Sequence, residues 1–256
     1  MQIFFTFAIL YMKKNLTIVF IFLVCFTAAI IPACKKENMW DCFKGTGDAA
    51  TETRILSPFT KVYVKDNVNV ILTQGPQNVK IEAGNNLIAL IKTEVKDGIL
   101  TINNDNKCNW ARSYTDINVY VTLPTLRFLW HYGTGLVKSN DTIACDTLEI
   151  WAHQTGDINL TVKANTLFPN MHTTSDLTLH GKCAIMGIYH SGEGFLHAED
   201  LQTDYAWTYS SASGDEYLNA KVELDANITW VGNVYYHGNP AATRIGDGTG
   251  NLIHQN

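Results

Sequence analysis

The sequence predicts an all-β protein: a right-handed parallel β-helix or solenoid preceded by an N-terminal β-strand layer. One observation is a recurring turn element, His131-Tyr-Gly-Thr-Gly-Leu136, His153-Gln-Thr-Gly-Asp-Ile158, His172-Thr-Thr-Ser-Asp-Leu177 and His190-Ser-Gly-Glu-Gly-Phe195. Degenerate copies begin at Ser211, Thr229 and Asp247, so the spacings are 22, 19, 18, 21, 18 and 18 residues. A second observation is the period-two alternation between turns, which places alternate side chains on opposite faces of a strand. A third is that no apolar 3.6-residue period survives beyond one turn. A unit of about 20 residues cannot bury a core alone, whereas stacked units can.

The element from 1 to 33 reads as a targeting segment. Met12-Lys-Lys-Asn15 opens a basic flank and Leu16 to Ile31 is apolar, with either Met1 or Met12 as the start. It ends Ile30-Ile-Pro-Ala-Cys34, which resembles a bacterial lipoprotein lipobox. The resemblance implies cleavage before Cys34, lipid on its sulfur, and membrane anchoring without a transmembrane helix. Loss of Lys13 and Lys14 moves the net charge from −5 to −7. Such a balance argues against a nucleic-acid partner, because phosphate binding needs clustered Lys and Arg.

Residues 34–53 form a polar tether. Residues 54–125 read as a β layer that caps the solenoid, since a bare solenoid end exposes an unpaired strand edge. Val62, Val64, Val68, Val70 and Leu72 alternate with polar residues, and Asp97-Gly98 before Ile99 is a hairpin signal. Residues 126–256 carry the repeat. Aligned on the four histidines, one strand face reads Leu126, Leu148, Leu167, Ile185, Ala206 and Leu224. The face continues as Phe128, Ile150, Pro169, Gly187, Thr208 and Ala226, and then as Trp130, Ala152, Met171, Tyr189, Ser210 and Ile228.

In an oxidising envelope, Cys42 and Cys108 are expected to form a disulfide pinning the tether to the domain. Cys145 and Cys183 occupy nearly equal repeat positions two coils apart, roughly 10 Å, too far to bridge.

This combination of motifs is specific. Cys34 precedes Arg54-Ile-Leu-Ser-Pro-Phe59 and Val68-Asn-Val-Ile-Leu-Thr-Gln-Gly75, followed by Val119-Tyr-Val-Thr-Leu-Pro124. Gly- and Asp-rich turns then lead to Gly232-Asn-Val-Tyr-Tyr-His-Gly-Asn-Pro240. From about Arg54 to Leu252 the chain resembles the putative auto-transporter adhesin head (GIN) domain family of Bacteroidota lipoproteins. The resemblance implies a β-helix similar to the pectin-lyase type, an adhesive role, and a family without established enzymatic activity. One departure is that four turns begin with His where the family has Ser or another small residue.

His131, His153, His172 and His190 are expected to stack on the outer face, where they are weak metal candidates; a flat row of rings lacks the convergence a metal needs, so no metal or cofactor is expected. Asp157, Asp176 and Asp215, with Asn233 and Asn251, read as turn-capping side chains rather than a calcium site. The opposite strand face carries Trp151, Phe168, Trp207 and Tyr209, together with Leu129, Met186 and Ile188. Such a stripe marks a contact surface for a glycan or protein ligand, or is covered by the N-terminal layer or by a second copy of the chain.

Catalysis is poorly supported, because Lys138, Lys163, Lys182, Lys221 and Arg244 are scattered over different coils and no nucleophile motif appears. The reading is a non-enzymatic lipoprotein of the Gram-negative envelope, on the surface or the periplasmic face of the outer membrane, with a binding role. A polysaccharide-acting β-helix enzyme and a periplasmic scaffold are the alternatives.

Overall fold

A computed structural model of the chain describes residues 45–107 and 116–255. The expected lipid-bearing Cys34, the Cys42–Cys108 pair and the targeting segment lie outside the described residues. No helix among them is long and apolar enough to cross a membrane.

The described chain is nearly all strand, arranged as a β-solenoid of about seven turns. The first strands are β1 (Ala49–Arg54), β2 (Lys61–Asp66), β3 (Asn69–Gln74), β4 (Asn78–Gly84), β5 (Ile91–Lys96) and β6 (Ile99–Asn104). They are followed by β7 (Asn118–Leu123) and β8 (Phe128–Gly133). The long strands are β9 (Val137–Ala152), β10 (Ile158–Met171), β11 (Leu177–His190), β12 (Leu196–Ser210) and β13 (Glu216–Ile228). Three short ones, β14 (Val234–His237), β15 (Ala241–Ile245) and β16 (Leu252–His254), close the stack.

Within each coil the chain changes direction at a bend inside one continuous strand, with register shifts near Asn159, Thr178 and His197. Such irregularities let a strand change direction while keeping most of its ladder. Corresponding residues stack in parallel register. Leu148, Leu167, Met186, Ala206 and Leu224 form one interior column. Val70, Val137, Ile158, Leu177 and Leu196 form another. All ten are buried.

The stretch from 54 to 125 supplies two kinds of strand. β2 pairs in parallel with β6 and β8, and β3 with β7 and β9, so four of its strands join the parallel stack. The coil β6–β7 lies outside the coil β2–β3, although it follows it in the chain. Antiparallel β5 covers β6, while β4 covers β7 and β1 covers β4. The reversed direction of these strands ends the parallel ladder. The β5–β6 hairpin turns at Asp97 and Gly98, with φ of 53° and 71°, the pair of positive values a two-residue type I′ turn requires.

At the other end Arg244 covers the last turn. Its guanidinium donates to the carbonyls of Gly246 at 3.0 Å, Gly248 at 2.6 Å and Gly250 at 2.9 Å. These are groups that a further coil would otherwise engage.

Candidate functional site: an aromatic face with a histidine ladder

The register resolves which side chains reach the surface. His131 pairs with Ala152, Ala152 with Met171, Met171 with His190 and His190 with Ser210. This column points inward, and both His131 and His190 are fully buried. The expected four-histidine outer row is therefore corrected: only His153 and His172 lie on the outer side, one residue beyond the interior column. An alignment on histidine slips by one residue in the first and fourth coils, and a one-residue slip moves every side chain to the opposite face. The same slip explains why Leu129, Met186 and Ile188 are interior, while Phe128, Trp130 and Tyr189 face outward.

The two inward histidines have different surroundings. His131 packs under the turn at Gly156, where an added Cβ would lie 2.4 Å from its Cε1. Burial pushes its imidazole down to about 4, so it is neutral at physiological pH. His190 Nδ1 lies 3.3 Å from Glu216 Oε1, which also accepts from Thr208 Oγ1 at 3.0 Å. Glu216 and Thr208 of this buried polar trio stand in interior columns otherwise filled by apolar side chains, whereas His190 shares its column with His131 and Ser210. Glu216 escaped sequence reasoning; the signal for it is a carboxylate at the position where the other coils carry Leu177, Leu196 and Val234.

Outside, a ring ladder runs across the coils: Tyr132–His153 at 4.3 Å, His153–His172 at 4.8 Å and His172–Tyr189 at 5.2 Å between centroids. Trp151 lies 5.6 Å from both His153 and His172. Partial burial lowers the pKa of His153 and His172, and each is lowered further by a neighbouring histidine. His172 Nδ1 is 2.9 Å from Ser191 Oγ, which takes the next place in the ladder. Among the described residues no group of three or more His, Cys, Asp or Glu side chains could hold a metal ion.

Trp151, Phe168, Trp207 and Tyr209 all lie on the outward face of the same sheet. Trp151 and Phe168 are partly covered, whereas Trp207 is 46% exposed and Tyr205, on the same strand, 48%. Tyr189 stacks on Tyr209 at 5.4 Å, and Phe128 on Trp130 at 5.1 Å. The two outer rows alternate along each strand, so the face presents flat rings over successive coils. At one end Tyr63, Ile99, Trp130 and Tyr132 line a cavity of about 280 Å³. Its walls are three aromatic rings and one aliphatic side chain, a surface that fits the apolar face of a ring-sized ligand.

The turn carboxylates serve the backbone. Asp157 Oδ1 accepts the amide of Asp176 at 3.0 Å, Asp176 that of Phe195 at 2.8 Å, Asp215 that of Asn233 at 2.7 Å, and Asn233 that of Asn251 at 3.0 Å. Each side chain ties its turn to the next coil. Cys145 and Cys183 are both free, in register on either side of Ala164. Burial raises both thiols, Cys145 to about 11, which keeps them protonated.

The fold has solved counterparts. A putative adhesin from Bacteroides fragilis is 23% identical, with a TM-score of 0.76 over 81% of this chain and 97% of that one. A putative adhesin from Parabacteroides distasonis is 17% identical, with a TM-score of 0.64 over 82% and 98%. A protein from the same species described as a putative lipid binding protein is 19% identical, with a TM-score of 0.65 over 83% and 98%. No curated protein matches the chain. The family profile described as putative auto-transporter adhesin, head GIN domain, matches residues 58–240. The chain belongs to that family.

Proposed function

We propose that this protein is a lipid-anchored envelope protein with a non-catalytic, adhesin-like role, and that it binds a glycan or a protein through its aromatic face. The carrying observation is the exposure of Tyr205, Trp207 and Tyr209 on a sheet whose opposite side is already occupied by the core. These rings lie outside the packed interior and keep much of their surface open, and flat rings stack on sugars or on apolar protein surface. Membership of an adhesin-named family supports the reading, and the lipobox-like Cys34 supports the anchor. A lipid ligand, the printed description of one neighbour, would also have to use this face, because side chains fill the described interior.

The test is proteolytic shaving of intact cells, followed by detection of the 54–252 region. Release from intact cells is the expected result. Cleavage only after the outer membrane is opened would exclude adhesion to external targets and favour the periplasmic scaffold. Loss of fatty-acid labelling in Cys34→Ser tests the anchor.

A further inference from the structure

The bend shared by β9 to β12 forms a second concavity, apart from the aromatic face. It encloses about 480 Å³ and crosses several coils. Ala144, Lys163, Lys182 and Gln202 are successive partners in one outward row, and Lys221 of the next coil also lines the groove. Cys145, Ala164 and Cys183 line the adjoining row, where small side chains leave space.

The lysines are unexpected here. The chain is acidic overall, at −5, yet Lys163 and Lys182 stand directly opposite each other on adjacent strands, with backbones roughly 4.8 Å apart. Like charges in direct register oppose sheet pairing. No ion pair among the described residues involves Lys163, Lys182 or Lys221. Asp204 is the one carboxylate among the residues lining the groove. An anion seated between the ammonium groups would relieve the repulsion.

We propose that this groove binds the carboxylate or sulfate groups of an acidic polysaccharide. The proposal rests on the adhesin reading for its ligand class and on the lysine row for its charge. Three features favour a polysaccharide chain. The groove is concave, so a flat lipid surface does not reach its floor. It runs across the coils, which suits an extended polymer. Ile185 and Tyr205 follow Lys182 and Gln202 by three residues on the same strands, roughly 10 Å, bringing the exposed ring face beside the charged one.

The experiment measures binding of the full-length protein in detergent to dextran sulfate, polygalacturonate and uncharged dextran. Two variants accompany it, Lys163→Gln/Lys182→Gln and Trp207→Ala. The expected result is binding of at least one charged polymer that weakens with added salt and falls about tenfold or more in the lysine variant. The lysine variant is also expected to melt no lower than the wild type, because repulsion has been removed. Unchanged affinity in the lysine variant, or equal binding of uncharged dextran, would overturn the proposal. So would tighter lysine-dependent binding of single-stranded DNA or of anionic lipid vesicles. Failure of the adhesin reading shows separately, in the shaving of intact cells and in the Trp207→Ala variant.

Discussion

The indole of Trp207 lies across Gly187 of the preceding coil: a Cβ on Gly187 would sit 2.3 Å from Cζ2 of Trp207 and 2.5 Å from its Cε2. The glycine is the seat that holds this ring against the sheet. Gly187→Val is therefore expected to lift Trp207 and weaken ligand binding while the solenoid stays folded. Fluorine NMR of fluorotryptophan-labelled protein checks this, with the Trp207 signal assigned by Trp207→Phe. An unmoved Trp207 resonance in Gly187→Val would contradict the seating.

The turn column predicts a graded response at Asp176. Its carboxylate accepts the Phe195 amide in an exposed bond, so Asp176→Ala hands that donor to water and is expected to cost roughly 0.5–1.5 kcal/mol. Asp176→Asn keeps the acceptor and loses less. Because the carboxylates are engaged by backbone amides, excess calcium is expected to leave the melting temperature unchanged. A calcium-dependent rise would mark the column as a metal site.

His131 couples stability to acid. Unfolded, its imidazole takes up a proton near 6.5; folded, it does so only near 4. Between these values the unfolded chain holds more protons, so stability rises with pH through the window and is complete above it. The full contribution is roughly 3 kcal/mol. Urea unfolding across this range is expected to show a shallower slope for His131→Leu than for the wild type. Equal slopes would mean that His131 does not carry the effect.

Removing Glu216 strips a buried partner from both His190 and Thr208. Glu216→Leu alone is expected to destabilise by roughly 1–3 kcal/mol, the usual result of leaving buried polar groups without their partner. Adding His190→Leu and Thr208→Val replaces the trio with apolar side chains and is expected to recover most of the loss. Chemical denaturation of the single and triple variants decides this, and additive losses would show that the three groups do not act together.

Arg244 gives a local prediction. Arg244→Ala frees the carbonyls of Gly246, Gly248 and Gly250, so the last coil is expected to fray before the stack melts. Hydrogen exchange checks this: protection is expected to fall around Val234 to Leu252 and to persist in β10 and β11.

Much of the architecture could be read along the chain because its causes are local. Alternation in Val62–Leu72, Gly and Asp in the turns, and Asp-Gly before Ile99 each act within a few residues. The Asp157–Asn251 column was legible for the same reason, since a turn carboxylate finds its amide wherever the next turn lands above it. Of the proposed aromatic site, Trp151, Phe168, Trp207 and Tyr209 were visible by their alternation, whereas Trp130 and Tyr189 were misplaced with His131 and His190.

Register and stacking order, by contrast, belong to the tertiary structure. Where both faces carry large apolar side chains, as in Phe128-Leu129-Trp130, alternation does not choose the inward face, and only the packed interior decides that Leu129 and His131 turn inward while Trp130 turns out. Stacking order is equally non-local. β3 lies between β7 and β9 because parallel ladders join strands from distant parts of the chain, and nothing in the sequence of β3 names its neighbours. The lysine groove arises in the same way: Lys163 and Lys182 are 19 residues apart in the chain and become opposite partners only when the coils stack.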